Sequence, residues 1–233
     1  MIRTFALLTG ADTPCPKVMM SDRRLTPELL LSAYATGIFP MAEDRDATEL
    51  YWVDPRYRGI LPLDRFHVSR SLAKHLRRPD YQVAFDTDLD AVLDGCADRD
   101  ETWINNTIRD LTRALFDDGY AHTIEVWRED RMIGGVYGIT LGGAFFGESM
   151  CSRETNASNI ALVWLVDHLK RAGFTLFDTQ FITTHLKSLG GIEIPRKDYR
   201  ARLAAALTVP TSFLSVAFET DRQAVLHRMT QTS

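Results

Sequence analysis

The chain is predicted to fold as an α+β protein, and three observations carry that expectation. From Ala121 the apolar pattern switches to a period of two and holds it through three successive segments. A long, largely apolar helical segment follows, and after it a strand, a helix, a strand and a further helix. At 233 residues, 45% of them apolar, the chain can bury a sizeable core as one large domain or as one domain with a smaller companion.

Taken in order, residues 1–19 lack periodicity and are expected to be a disordered leader or an over-long start. "LTPELLLSAYATGIFP" supplies Thr26 as N-cap, Pro27 at the first helical position and Gly37 as the stop, so a helix is predicted. Phe39 and Pro40 lead into an acidic, turn-rich stretch to about Thr48. A short strand at "LYWV" and a "DPR" turn follow. A small N-terminal domain is therefore expected over 20–57, ahead of the main domain over 58–233.

Ser69 opens a helix in "SRSLAKHLRR"; then come the strand "YQVAFD", a helix over Leu89 to Cys96, and a helix with Leu111, Ala114 and Leu115 on one face and Gly119 as terminator. "HTIEVWREDRMIGGVYGITLGGAFFGESM" reads as three strands joined by hairpins at "EDR" and "GG". The long helix runs from near Asn156 to Gly173. "FTLFDTQ", "TTHLKSLG", "IEI" and "RKDYRARLAAAL" complete the order, and the tail after Pro210 is weakly patterned. Helix, three antiparallel strands, long helix, strand, helix, strand is the order of a GNAT-like (acyl-CoA N-acyltransferase-like) sandwich. In that fold a cleft opens where the strand before the long helix diverges from the strand after it, so residues 147–153 and 178–181 are expected to face one another.

Composition narrows the function. The net charge of −4 and pI of about 5.9 give the whole chain no electrostatic case for nucleic acid, so any such case rests on a local patch. Cys15, Cys96 and Cys151 lie far apart, without metal or disulfide spacing. The six histidines show no ligand spacing either, and no metal or other cofactor is expected. The apolar runs "FALL" and "IALVWLV" are too short for a signal h-region or a membrane span, so a soluble cytoplasmic protein is expected. No surplus apolar stripe is evident, which favours a monomer.

Three constellations could carry chemistry. In "DTQ", Asp178 and Gln180 lie two apart on a strand and share a face, where a carboxylate is costly to bury unless it is paired or used. A solvated strand end or a helix cap is the alternative. In "FFGESMCSR", Glu148 closes an apolar strand; it reads either as half of an ion pair with Arg153 or, converging with Asp178, as part of a site for a cationic ligand. Arg70, Lys74, Arg77 and Arg78 fall at i, i+4, i+7 and i+8 of one helix, a basic stripe suited to a phosphate backbone or simply a solvated face. The turn "CSRETNAS" before the long helix has no glycine, unlike the loops that cradle the pyrophosphate of coenzyme A, so acetyl-CoA is not the expected donor.

"LLLSAYATGIFPM", "YWVDPR", "RFHVSRSL", "GCADRDETWI", "HTIEVW", "GGVYGI", "FFGESMCSR" and "DTQF...HLKSLGGIEIPRKDY" together resemble the bacterial leucyl/phenylalanyl-tRNA–protein transferase family, from about Leu25 to Tyr199. The resemblance implies a GNAT-like fold behind a small N-terminal domain. It also implies transfer of leucine or phenylalanine from aminoacyl-tRNA to the α-amine of proteins beginning with Arg or Lys, which creates an N-end-rule degradation signal. It further implies that Asp178, Gln180 and Glu148 are active-site residues, that Trp103 and Met150 belong to the pocket, and that the stripe from Arg70 contacts tRNA. Met41 stands where the family has Trp, Cys151 replaces a common Phe, and "ASN" at Asn159 replaces "ASK". With Leu165 and Leu169 at lining positions of the amino-acid pocket, these departures leave the preference between leucine and phenylalanine open.

An aminoacyl ester is already activated, so alignment of the amine is the main requirement. Asp178 is expected to orient and to act electrostatically, and Gln180 to accept an N–H from the attacking amine. Glu148 together with Asp178 is expected to favour a cationic acceptor. An apolar pocket separates side chains differing by a methylene by only about 1–3 kcal/mol, so overlapping use of Leu, Phe and Met is expected. The rival readings are another GNAT-fold acyl or aminoacyl transferase, separated by its acceptor, and a non-catalytic tRNA-binding module, which would leave the paired acids unexplained.

Overall fold

The computed structural model describes residues 18–19, 25–47 and 49–230. Apart from the short strand β1 (Val18–Met19), the expected leader over 1–19 lies outside the described residues. Helix α1 (Pro27–Thr36) begins and ends where its capping residues dictate. The Thr26 hydroxyl accepts from the Leu29 N–H, and Gly37 takes φ +86°, the left-handed conformation that glycine adopts without steric cost. Replacing Thr26 with Ala should cost about 1 kcal/mol, read as a lower urea midpoint at unchanged slope.

Beyond α1 the chain builds two sheets. β2 (Phe39–Met41) and β3 (Tyr51–Val53) join β1 in a three-stranded sheet of order β1-β3-β2. The main sheet has seven strands, β4 (Tyr57–Ile60), β5 (Gln82–Phe85), β6 (Ala121–Arg128), β7 (Arg131–Leu141), β8 (Ala144–Ser152), β9 (Leu176–Gln180) and β10 (Ile192–Pro195), in the order β10-β4-β9-β8-β7-β6-β5. All neighbours are antiparallel except β8 and β9, which are parallel and linked by α5 (Ala157–Ala172). The protein is thus a mixed α/β structure on a mixed sheet.

One face of the main sheet is covered by α5, backed by α2 (Arg70–Leu76), a 3-10 turn (Phe213–Ser215) and α8 (Arg222–Thr230). Thirteen of the sixteen residues of α5 are buried, which requires cover on its outer side as well. The tail provides it: Phe213 stacks on His122 and packs at a tilt against His168, and Arg228 pairs with the buried Asp167 at 2.7 and 3.0 Å. The segment after Pro210, weakly patterned in sequence, is therefore structural. The opposite face carries α1, α3 (Leu89–Ala97), α4 (Asn106–Asp117) and α7 (Arg196–Leu207), while α6 (Thr184–Ser188) connects β9 to β10.

Three strands were not expected, β1 among them. β2 contains Pro40, whose missing N–H is tolerated on an edge strand, and β4 contains Arg58 and Gly59, directly after the "DPR" turn. Residues 25–53 contribute Leu30, Tyr34, Phe39 and Val53 to a core shared with Leu111, Phe146, Leu176 and Tyr199. β4 lies beside β9 because Gly59 has no side chain: a Cβ there would sit 2.6 Å from the Phe181 carbonyl carbon.

Candidate active site

The parallel ladder of β8 and β9 pairs Ala144, Phe145 and Phe146 with Leu176, Phe177 and Asp178, and then stops. Beyond it β8 continues to Ser152 beside β7 while β9 ends at Gln180, so the two strands part as expected. β8 also carries a bulge at this point: Tyr137 faces Ser149 and Gly138 faces Gly147, leaving Glu148 as the extra residue. The bulge inverts the alternation. Phe145 before it and Met150 after it both face α5, whereas Phe146 before it and Cys151 after it both face the other side.

Glu148 is buried on that other side, and its Oε1 accepts from the Tyr34 hydroxyl at 2.8 Å and from Gln180 Nε2 at 3.0 Å. Burial pushes the Glu148 carboxyl up to about 7, against the opposing pull of these two hydrogen bonds. No ion pair joins it to Arg153, which donates instead to the Met132 carbonyl. In Tyr34→Phe the loss of one stabilising donor should move the Glu148 titration to higher pH, read from a pH–rate profile or from carboxyl chemical shifts. An unmoved or lowered midpoint would contradict this arrangement.

Asp178 and Gln180 do share a face, but Asp178 is fully enclosed. Arg58 Nε and Nη2 grip its two oxygens at 2.8 and 2.6 Å, the Tyr199 hydroxyl donates at 2.7 Å, and the Gln180 backbone N–H donates at 2.8 Å. Arg58 is itself buried, 4.3 Å from the Phe39 ring centroid and 4.6 Å from that of Tyr199. Burial works against the guanidinium charge, but Asp178 more than offsets it and holds Arg58 more firmly protonated than usual. The expectation that Glu148 and Asp178 jointly attract a cation is thereby corrected: Asp178 is already neutralised from within, and Glu148 is the unpaired acid. Gln180 adopts φ +61°, an unusual conformation for a residue with a side chain, and the Asp178 hydrogen bond to its N–H holds it there. Its Nε2 is committed to Glu148, which leaves Oε1 as the acceptor of the amide.

The expected pocket residues divide between the two faces. Met150, Leu165 and Leu169 are buried in the α5-side core, beyond the gap. Trp103 and the half-buried Met41 lie on the Glu148 side, packed with Tyr137, Cys96 and Cys151. Among the described residues, three buried donors on that side have no partner: Trp103 Nε1, the Tyr137 hydroxyl and Arg99 Nε. Arg99 also donates from Nη2 to Ser149 Oγ at 3.1 Å, next to Glu148. Arg70, Lys74, Arg77 and Arg78 are all exposed on or just after α2, whose buried residues Leu72, Ala73 and Leu76 face the core; Arg78 pairs with Asp80. Sequence reading missed Arg58, Tyr34, Tyr199, Arg99 and Tyr137. The one available signal was an arginine two residues before the apolar run that begins at Ile60.

Among the described residues no three acids, cysteines or histidines converge as metal ligands, and no helix is long and apolar enough to cross a membrane. Residues 60–204 match the family described as leucyl/phenylalanyl-tRNA protein transferase, and residues 23–56 match the N-terminal domain of the same family. The leucyl/phenylalanyl-tRNA–protein transferase of Ruegeria sp. (strain TM1040) is 59% identical over 90% of this chain and 99% of its own length. That of Ruegeria pomeroyi is 57% identical over the same shares. The crystal structure of FemX aligns with 72% of this chain and 66% of its own at 12% identity and a TM-score of 0.49.

Proposed function

Because the chain belongs to the leucyl/phenylalanyl-tRNA–protein transferase family and is an aminoacyltransferase, we propose that it moves leucine or phenylalanine from aminoacyl-tRNA to the α-amine of proteins beginning with Arg or Lys, at the gap between β8 and β9. The observation that carries the placement is the pairing of Glu148 and Gln180 across that gap. Such a product is an N-end-rule degradation signal. We read the fold as GNAT-like on the antiparallel β6-β7-β8 unit, the α5 crossover and the parting of β8 from β9.

In this reading the amine nitrogen bonds to the ester carbonyl carbon, the bond to the ribose oxygen breaks, and that oxygen leaves with a proton. The ester supplies the driving force, and alignment supplies up to about 7–11 kcal/mol of the barrier lowering. Gln180 Oε1 accepts an N–H of the amine and aims its lone pair. Glu148, at about 7, lies close to the range of a protein α-amine, about 7.7–8.0, and is matched to take its proton. Asp178 acts at one remove, by fixing the Gln180 backbone. The unpartnered Tyr137, Arg99 and Trp103 donors are placed for ribose hydroxyls and for the developing oxyanion. The donor side chain passes through the gap toward Met150, Leu165 and Leu169, Met41 and Trp103 flank the entrance, and the exposed cations of α2 contact the tRNA backbone.

Labelled leucine and phenylalanine carried on their tRNAs should pass to a peptide with N-terminal Arg and not to its N-acetylated form. Transfer that ignores acetylation would overturn the acceptor assignment.

A further inference from the structure

An open cavity of about 320 Å³ lies where β4 meets β10 and the start of α7, outside the groups described above, lined by Arg56, Tyr57, Pro195, Arg196 and Lys197. The lining contains three cations, one aromatic ring and no acid. Tyr57 is 59% exposed, whereas Tyr137, the other tyrosine of this sheet, is buried. Asp54 is held at 2.9 Å by both Arg196 and Arg200, so Arg196 is already paired, and among the described residues Arg56 and Lys197 are the lining cations without an ion-pair partner. For a chain of net charge −4 this is a concentrated basic spot.

Its position matters as much as its charge. β4 pairs Gly59 with Gln180 and Tyr57 with Pro195, so Tyr57 stands just beyond the end of β9, about 7 Å along the strand from the level of Gln180. Arg58, between them, clamps Asp178. A flat ring among guanidinium and ammonium groups is the arrangement by which single-stranded nucleic acid is held without regard to sequence: a base stacks on the ring and the phosphates meet the cations. The same charges repel an acceptor that begins with Arg or Lys, which argues that the donor and not the acceptor lies here.

We propose that this pocket holds the single-stranded 3′ end of the donor RNA, with a base just before the terminal nucleotide stacked on Tyr57 and its phosphates on Arg56, Arg196 and Lys197. The proposal rests on the aminoacyl-tRNA reading above. It sets the direction of entry, with RNA arriving past the end of β9 and the acceptor amine reaching Glu148 from elsewhere.

The test is equilibrium binding of two fluorescent RNA hairpins, one blunt and one with a short unpaired 3′ tail, to the full chain. The wild-type protein should prefer the tailed hairpin by about tenfold. Tyr57→Ala should abolish that preference, Tyr57→Phe should keep it, and Tyr120→Ala, which alters another exposed ring, should leave it intact. Replacing Arg56 and Lys197 together with Gln should reduce the slope of log affinity against log salt by about 1.4 for the tailed RNA. A tail preference that survives Tyr57→Ala, disappears equally in Tyr57→Phe, or is absent from the wild type would overturn the proposal. Because binding needs no transfer, failure of the pocket is distinguishable from failure of the reaction: absent tail preference with transfer intact sinks only the pocket, and no transfer from any aminoacyl-tRNA sinks the reading beneath it.

Discussion

Arg58→Met is expected to lower the unfolding free energy by about 3–5 kcal/mol and to abolish measurable transfer, because it strands the Asp178 carboxylate in a fully enclosed site with only the Tyr199 hydroxyl and one backbone N–H. Asp178→Asn should be of similar size, since it strands the guanidinium. The double variant should recover much of the stability, because burying neither charge avoids the penalty that each single change exposes. It should not recover transfer, because Gln180 would lose the carboxylate that fixes its backbone. Arg58→Lys should not substitute, for an ammonium can neither grip both oxygens nor lie flat between Phe39 and Tyr199. Urea unfolding of the four proteins closes the cycle. Additive losses would show that the pair is not coupled.

Glu148→Gln is expected to lower transfer at neutral pH by about a hundredfold or more while making the protein more stable above pH 7. The glutamine oxygen can still accept from Tyr34 and Gln180, so the geometry survives and only the charge is lost. The sign follows from the raised carboxyl. The folded state holds the Glu148 proton up to about pH 7, whereas the unfolded chain releases it near 4.5. The stabilisation is thus complete below about 4.5 and is lost as pH rises through 7, up to about 3 kcal/mol in all. Glutamine has nothing to lose over that interval. In the wild type, transfer should rise with pH through about 7 as Glu148 ionises, and the variant should lack that limb. A variant that keeps both the limb and the rate would remove Glu148 from proton transfer.

The helices were legible in the sequence because their ends are written in single residues: Thr26 and Ser69 accept the first-turn bond, and Gly37 and Gly173 take the left-handed stop. The shared face of Asp178 and Gln180 followed from the period of a strand. What could not be read was set by partners distant in the chain. A bulge leaves no mark on periodicity until its register is known, so the aim of Glu148 was hidden. β4 shows no strand pattern in sequence because its one buried charge, Arg58, is matched only by Asp178, 120 residues later. The last helix has almost no amphipathic pattern, and it packs through Val225 and Met229 against an α5 that is buried nearly all round.

The two bonds that define the site, Tyr34 to Glu148 and Arg58 to Asp178, close loops of 114 and 120 residues. Loops of that length gain nothing until both ends are in place, so such contacts form late and slowly. During synthesis Tyr199 emerges after almost everything else, and until it does the Asp178 carboxylate lacks one of its donors. Catalytic competence therefore reports completion of the whole fold. A refolding experiment that follows transfer should lag one that follows helix formation, and a nascent or truncated chain will carry helices before it carries a site.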